Sequence, residues 1–407
     1  MTALAGVHAR RIVRAIADAA DRWSNADFPP RVRLLDAIVA RTGYSLPVVE
    51  YALDQIFFSL TVPSIAAVID GELGSIDALD GFVDRTDRPR AMAAPAGRVC
   101  VISSRTTIGV AIVPAVFALC AKCDVLVKDR EDGLVRAFFA SLAEELDEMA
   151  VAARAETWSS EDESTNLAEF DAVVAFGRDL TITRIRERCA AHARFVGFGS
   201  KASIGYITRD ALADTAHARS IAEGAARDLV LYETEGCLSL HALFVERGGA
   251  VAPHEFSLML AAAAERASVE FPPGMRDARA AARIMSARNL AAFRSAGGTG
   301  AVFSDANTSF LAVLDPPAQE PPQFLPRTLG IHSVDGPAEV ADYLQRHNVP
   351  VEAVALDTSR ADACNMAVEI GATRITRFGE LQRPPVGENH GGRSRINDYV
   401  RWVTSET

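Results

Sequence analysis

Residues Gly97 to Lys128 read GRVCVISSRTTIGVAIVPAVFALCAKCDVLVK. Gly97-Arg98-Val99-Cys100-Val101-Ile102 is a short strand-like run closed by the polar turn Ser103-Ser104. The long apolar segment Ile108 to Ala121 reads as a helix, and Asp124-Val125-Leu126-Val127-Lys128 as a second strand. Strand, helix and strand in that order form a βαβ unit, which implies a parallel sheet. Lys128 then stands at the carboxyl end of the second strand, where open α/β sheets bind their ligands. Cys120 and Cys123 have CxxC spacing, but no second pair completes a zinc site, so they read as packing and no metal is expected.

Outward from this unit the same alternation continues. Residues 8 to 85 read as mainly helical, with apolar positions at helical spacing in Val32-Leu34-Leu35-Ile38-Val39 and Val48-Val49-Tyr51-Ala52-Ile56. Downstream, Leu134 to Met149 is a helix. Phe170 to Phe176 is a buried strand ending in Gly177, and Thr181 is placed to cap the helix TITRIRERCA. Phe195 to Gly199 and Ile204 to Ile207 are strand pieces around a Gly/Ser turn. Further strands are expected at Leu243-Phe244-Val245, Thr308 to Leu314 and Ala353 to Leu356, with helices at Ala211 to Leu229, Pro253 to Ala267, Pro337 to His347 and Arg360 to Ile370. The tail from Arg374 is Gly/Pro-rich and closes in a helical run over Ser394 to Val403. The fold class is α/β with two successive sheets. No G-x-G-x-x-G loop is present, because Gly197-x-Gly199 leads into a strand; a nicotinamide cofactor, if used, must be held another way.

With 407 residues, two domains are the better expectation. A net charge of -11 argues against nucleic-acid binding. No apolar run reaches the length of a membrane span, and the opening residues read as an amphipathic helix rather than a secretory signal. Six irregularly spaced cysteines are no disulfide framework, so a reducing cytoplasm is the expected compartment. Among them Cys237 stands out in LYETEGCLSLHALFVE, Leu231 to Glu246, where a helical pattern gives way to a strand. Two readings are open for it: a thiol exposed in a cleft, or a small buried hydrophobe.

These segments resemble the aldehyde dehydrogenase superfamily. More closely they resemble its acyl-thioester reductase branch, the fatty acyl-CoA or acyl-protein reductases of bacterial bioluminescence operons. The likeness rests on Glu72-Leu73-Gly74 with the P-x-G-R-V strand at Pro95 to Val99, and on ALCAKCDVLVK at Ala118 to Lys128. It rests also on DAVVAFGRDLTITRIR at Asp171 to Arg186, EGCLS with the strand after it at Glu235 to Glu246, and GELQRPPVGENHGG at Gly379 to Gly392. The resemblance implies a cofactor-binding domain with a helical N-terminal part at 1–195 and a cysteine-bearing catalytic domain at 196–375. A tail at 376–407 would return to the cofactor domain or serve an oligomer contact.

It also implies roles. Cys237 falls at the nucleophile. Lys128 matches the residue that hydrogen-bonds the adenosine ribose, and Glu131 completes K-x-x-E, where a carboxylate accepts the ribose 2′-OH and repels a 2′-phosphate. Gly177 matches the turn close to the pyrophosphate, and Ser103 joins the cofactor set. Arg105 stands where the superfamily usually has the asparagine of the oxyanion hole, so it donates instead or backbone N–H groups do. His241 invites a Cys–His pairing through strand alternation, and His390 is a site-lining candidate. Gly197 falls where hydrolytic members carry the general-base glutamate. An enzyme that passes the acyl group between thiols has no need of that base.

The implied activity is reduction of an acyl thioester to an aldehyde. NADPH is expected from the branch, with NADH favoured by Glu131. The donor would be acyl-CoA, an acyl carrier or an acyl-protein synthetase, and a homo-oligomer is expected. Alternatives are a CoA-acylating aldehyde dehydrogenase, an acyl-phosphate reductase, or a non-redox cysteine acyltransferase or acyl-binding partner.

Overall fold

The computed structural model describes residues 1–86, 88–105, 107–159 and 166–406. The chain divides into two compact units: residues 1–42, 49–200 and 385–407 form the first, 43–48 and 201–384 the second. The expected boundaries at 195 and 375 thus compare with 200 and 384, and residues 385–407 belong to the first unit.

The strands, in chain order, are β1 (Val83–Arg85), β2 (Arg88–Pro95), β3 (Arg98–Ile102), β4 (Asp124–Lys128), β5 (Ala153–Glu156), β6 (Ala172–Phe176) and β7 (Arg194–Phe198). There follow β8 (Ala202–Ile207), β9 (Leu240–Glu246), β10 (Ala301–Phe303), β11 (Leu311–Leu314), β12 (Thr328–Val334), β13 (Val351–Leu356), β14 (Arg374–Thr376) and β15 (Val400–Ser405).

In the first unit a parallel sheet has the order β5-β4-β3-β6-β7. β6 is apolar throughout and β3 is apolar after Arg98, the pattern of parallel strands buried on both faces. The sheet grows one way from β3 to β5 and the other way from β6 to β7. A topological switch point therefore lies between β3 and β6, outside the end marked by Ile102, which is paired with Lys128 and Ala175.

The expected helix over Ser394 to Val403 is not formed. Residues 400–405 are β15, antiparallel to β2 with Val400 opposite Pro95 and Ser405 opposite Arg90. The run VRWVTS is rich in β-branched and aromatic residues, which fit a pleated edge better than a helix. Thr181 is not a cap either. The helix begins two residues earlier, at Asp179–Glu187, where Asp179 meets the positive end of the helix dipole.

The second unit is a seven-stranded sheet of order β10-β11-β12-β9-β8-β13-β14, parallel except for β10 against β11. One face packs on helices Thr215–Val230 and Pro253–Glu270, the other on Pro337–Arg346 and Ala361–Glu369. The helix Ala278–Ala296 is not expected from the sequence pattern. It buries only Ile284 and Ala291, so it carries no apolar stripe to betray it. No single helix among the described residues is long and apolar enough to cross a membrane.

One close approach holds the 376–384 segment. Gly224, in helix Thr215–Val230, faces the backbone of Phe378 so closely that a Cβ would lie 2.6 Å from its carbonyl carbon and oxygen. One turn on, buried Asp228 accepts the N–H groups of Gly379 at 2.7 Å and Leu381 at 3.2 Å. Gly224→Ala is expected to lower unfolding free energy by about 1–3 kcal/mol. Chemical denaturation checks this, and an unchanged midpoint would contradict the tight contact.

Candidate active site

Cys237 lies in the second unit on the turn between helix Thr215–Val230 and β9, and its side chain is half-buried. The turn is built under strain. Tyr232, Glu233 and Thr234 have φ of 55°, 52° and 59° in succession. Non-glycine residues in this left-handed region cost roughly 1–2 kcal/mol each.

Neighbouring groups over-determine the strained conformation. Glu233 accepts from Arg327 Nε at 2.7 Å and from the Gly274 N–H at 3.1 Å, and its second oxygen lies 3.7 Å from Arg276 Nη2. Thr234 Oγ1 donates to the Leu229 carbonyl at 3.2 Å, and the Tyr44 hydroxyl lies 3.5 Å from Glu235. Past the strain, Ser239 Oγ accepts from the Gly236 N–H at 3.2 Å and from Gln382 Nε2 at 2.8 Å. Ser203 Oγ donates to the Cys237 carbonyl at 2.8 Å. The EGCLS segment is thus tied to β8 and to the GELQR segment by side chains.

β9 begins at Leu240, so Cys237 stands before the strand and alternation does not relate it to His241. His241 is buried against Phe324, with ring centroids 4.9 Å apart. Burial, which outweighs nearby backbone hydrogen bonds, lowers its pKa to about 4. The ring is therefore neutral near pH 7 and supplies no cation to stabilise a thiolate. Three of the other thiols are buried. Burial pushes Cys100 up to about 12 and Cys123 up to about 11, and it raises Cys120 further.

In the first unit, Ser103, Lys128, Gly177 and His390 gather at the carboxyl end of the parallel sheet. Ser103 is fully buried; its hydroxyl donates to the Lys128 carbonyl at 2.9 Å and accepts from the Arg130 N–H at 3.0 Å, tying the ends of β3 and β4 together. Lys128 Nζ donates to the Ser159 carbonyl at 3.4 Å and lies 5.1 Å from the centre of the Trp158 ring. Gly177 follows β6, and its N–H donates to the Phe198 carbonyl at 3.1 Å. A Cβ on Gly177 would meet Thr181 at an ordinary 3.5 Å, so nothing within the chain requires glycine there. The ring of His390 lies 4.7 Å from that of Phe198, which stacks on Phe176 at 4.8 Å.

Glu131 does not face outward. It is fully buried, and its carboxylate accepts the Gly109 N–H, close to the start of helix Ile112–Cys120. Burial raises its pKa to about 8, outweighing the Gly109 bond and the nearby Arg41. Arg105 lies on the exposed turn after β3, and its carbonyl accepts from Arg41 Nη1. At Gly197, in β7, a Cβ would lie 2.5 Å from Ile182 Cγ2 and 2.9 Å from Phe195 Cε1, so any side chain there would displace one of them.

A model of the acyl-CoA reductase (LuxC) family matches residues 4–402. The chain belongs to that family. As a member it is an oxidoreductase that converts acyl groups to aldehydes. No curated protein matches it by sequence. Among solved structures it is similar to aldehyde dehydrogenase 21 from Physcomitrella patens in complex with the product succinate, at 12% identity and a TM-score of 0.71 over 98% of this chain and 86% of that one. The aldehyde dehydrogenase KauB from Pseudomonas aeruginosa gives 13%, 0.71, 99% and 86% in the same terms. The glyceraldehyde-3-phosphate dehydrogenase GapN from Methanocaldococcus jannaschii, complexed with NADP, gives 10%, 0.69, 98% and 89%. The fold of this LuxC-family chain is therefore that of the aldehyde dehydrogenases.

The residues that build the turn of this acyl-CoA reductase family member carry no local sequence signature. Glu233 was visible only as part of an acidic stretch before Gly236-Cys237. Arg327, Gln382 and Ser203 lie far from Cys237 in sequence, and no local pattern links them to it.

Proposed function

We propose that the chain reduces an acyl thioester to an aldehyde through an acyl group carried on Cys237, with NADPH as the reductant. The observation that supports this most is the placing of Cys237 on a strained, multiply bonded turn at the amino end of a buried strand. The Cys237 thiolate attacks the thioester carbonyl and expels the donor thiolate, so one thioester replaces another at little cost. Bound, the cofactor supplies the hydride that takes the acyl-cysteine to the aldehyde level. The Cys237 sulfur then leaves as thiolate when the C–S bond breaks. Backbone N–H groups at the turn are the donors for the oxyanion. Gly197 carries no carboxylate to activate water, which favours reduction of the acyl-enzyme over its hydrolysis.

Lys128 and the backbone at Gly177 are the groups suited to hold the cofactor, at the sheet edge beside the switch point. Glu131 is turned inward and is mainly neutral near pH 7, so it neither accepts from a ribose hydroxyl nor repels a 2′-phosphate. Arg130 is held below its usual value first by burial and then by Arg105, a pair of cations that a phosphate would relieve. Both points favour NADPH over NADH. The proposed acyl donor is a fatty acyl-CoA or an acyl-protein, and the proposed working state is a homo-oligomer.

Intact-protein mass spectrometry with a panel of acyl-CoAs, followed by an NADPH or NADH chase, tests the reading. It expects an acyl adduct on Cys237 that is discharged as aldehyde, faster with NADPH. An adduct that neither cofactor discharges would point to a non-redox acyltransferase. Gly177→Ala tests the cofactor edge. Its thermal midpoint should stay close to that of the parent, since the new methyl makes only ordinary contacts. NADPH binding should weaken by about tenfold or more if the backbone approaches the pyrophosphate. Unchanged affinity in a fluorescence titration would remove Gly177 from the site.

A further inference from the structure

The buried pair Glu233–Arg327 has no place in the chemistry just described, yet it is the most heavily built feature around the Cys237 turn. Arg327 is fully buried and uses its whole fork. Nε donates to Glu233, Nη1 to the Phe271 carbonyl at 2.9 Å and Nη2 to the Pro272 carbonyl at 3.0 Å. Both members of the pair sit in the left-handed region, Glu233 at φ 52° and Arg327 at φ 47°. Arg276, which approaches Glu233 from the other side, is itself anchored on the Thr308 and Ser309 carbonyls at 2.7 and 3.1 Å. The segment 43–48 adds Tyr44, whose ring lies 6.0 Å from that of Tyr232. A buried ion pair is a poor device for stability alone, because desolvation offsets most of its attraction. A planar guanidinium bonded at three points is a good device for fixing direction.

Resting on the reading of Cys237 as the acyl-accepting thiol, we infer that Arg327, through Glu233, is a positioning residue for that thiol. It holds Tyr232, Glu233 and Thr234 in a conformation they do not favour. The chain therefore enters Gly236-Cys237 from a single direction, with the thiol and the neighbouring N–H groups set for attack on a carbonyl. The pair touches no reacting atom. Its contribution falls on the rate of acyl transfer and not on substrate affinity, since small displacements of a reacting group cost rate steeply.

The test is Arg327→Lys in the full-length enzyme, with single-turnover acylation of Cys237 by a fatty acyl-CoA followed by mass spectrometry. Lysine keeps the charge but loses the fork. Acylation and kcat are expected to fall by about 10²-fold, with KM within about threefold of the parent. Adding Thr234→Gly, which removes the conformational penalty at one position, is expected to recover at least about tenfold of the loss. Rates are taken per folded molecule, from the amplitude of the thermal transition. If Arg327→Lys does not fold, Glu233→Gln carries the same test, since it keeps the acceptor shape and loses the charge. Parent-like acylation by the folded variant, or a loss confined to stability, overturns the inference. An unmodified Cys237 in the parent would instead sink the thioester-reductase reading before any variant is compared.

Discussion

Replacing Cys237 by alanine is expected to lower acyl-CoA reduction by at least about 10⁴-fold, the scale on which loss of a covalent nucleophile acts in other enzymes. The fold should survive. The bond that ties this residue to β8 is made by its carbonyl, which accepts from Ser203 Oγ, and the Ser239 bonds to Gly236 and Gln382 remain. Thermal unfolding of the variant should therefore match that of the parent, and the acyl adduct should vanish from its mass spectrum. Cys100 and Cys120 cannot take over, because burial holds both as neutral thiols. Retention of more than about one hundredth of the parent rate would mean that the acyl group is not carried on Cys237.

The second large effect concerns pH and stability. Glu131 is fully buried and its pKa is raised from 4.5 to about 8. Arg41 pulls the value down and Asp129 pushes it up, but burial outweighs both. Below the ordinary carboxylate pKa both folded and unfolded chains hold the proton, and stability is at its full value. Between about pH 4.5 and about pH 8 the unfolded chain releases the proton while the folded chain keeps it, so stability falls as pH rises. Above that range the loss is complete, on the order of 5 kcal/mol for this group. Asp228, raised to about 8 by burial, acts in the same direction. In Glu131→Gln the amide can still accept from the Gly109 N–H but carries no proton to lose. The variant should lose part of the slope and be more stable than the parent by a few kcal/mol near pH 9. Denaturation curves across this range check it, and parallel curves for parent and variant would show that Glu131 ionises normally.

Much of the architecture was legible because it follows from local pattern. The βαβ unit from Gly97 to Lys128 could be read since two apolar runs of strand length flank one of helix length. The error at Ser394 to Val403 arose where the segment has no strong period. There, pairing with β2 decides the conformation, and β2 lies some three hundred residues away in the chain. Helix Ala278–Ala296 was missed for the opposite reason, since a mostly exposed helix needs no apolar stripe. The gathering of Ser103, Lys128 and Gly177 at one edge of the first unit's sheet was legible because they follow or end strands, and strand ends collect at one edge of a parallel sheet.

Direction of side chains was not legible. Glu131 has the spacing of a cofactor ligand but caps a backbone N–H inside the first unit, because the chain folds Gly109 back over it with φ of +67°. His241 is close to Cys237 in sequence, yet strand burial leaves it neutral. By itself the sequence determined an α/β chain with one cysteine set between a helix and a strand and a lysine at a strand end. These are properties of neighbours along the chain. Only the tertiary structure decided how Cys237 is held. The strain at Tyr232, Glu233 and Thr234 persists because Arg327, Gly274 and Gln382 arrive from distant segments to bond the turn, and long-range bonds leave no local trace in a sequence.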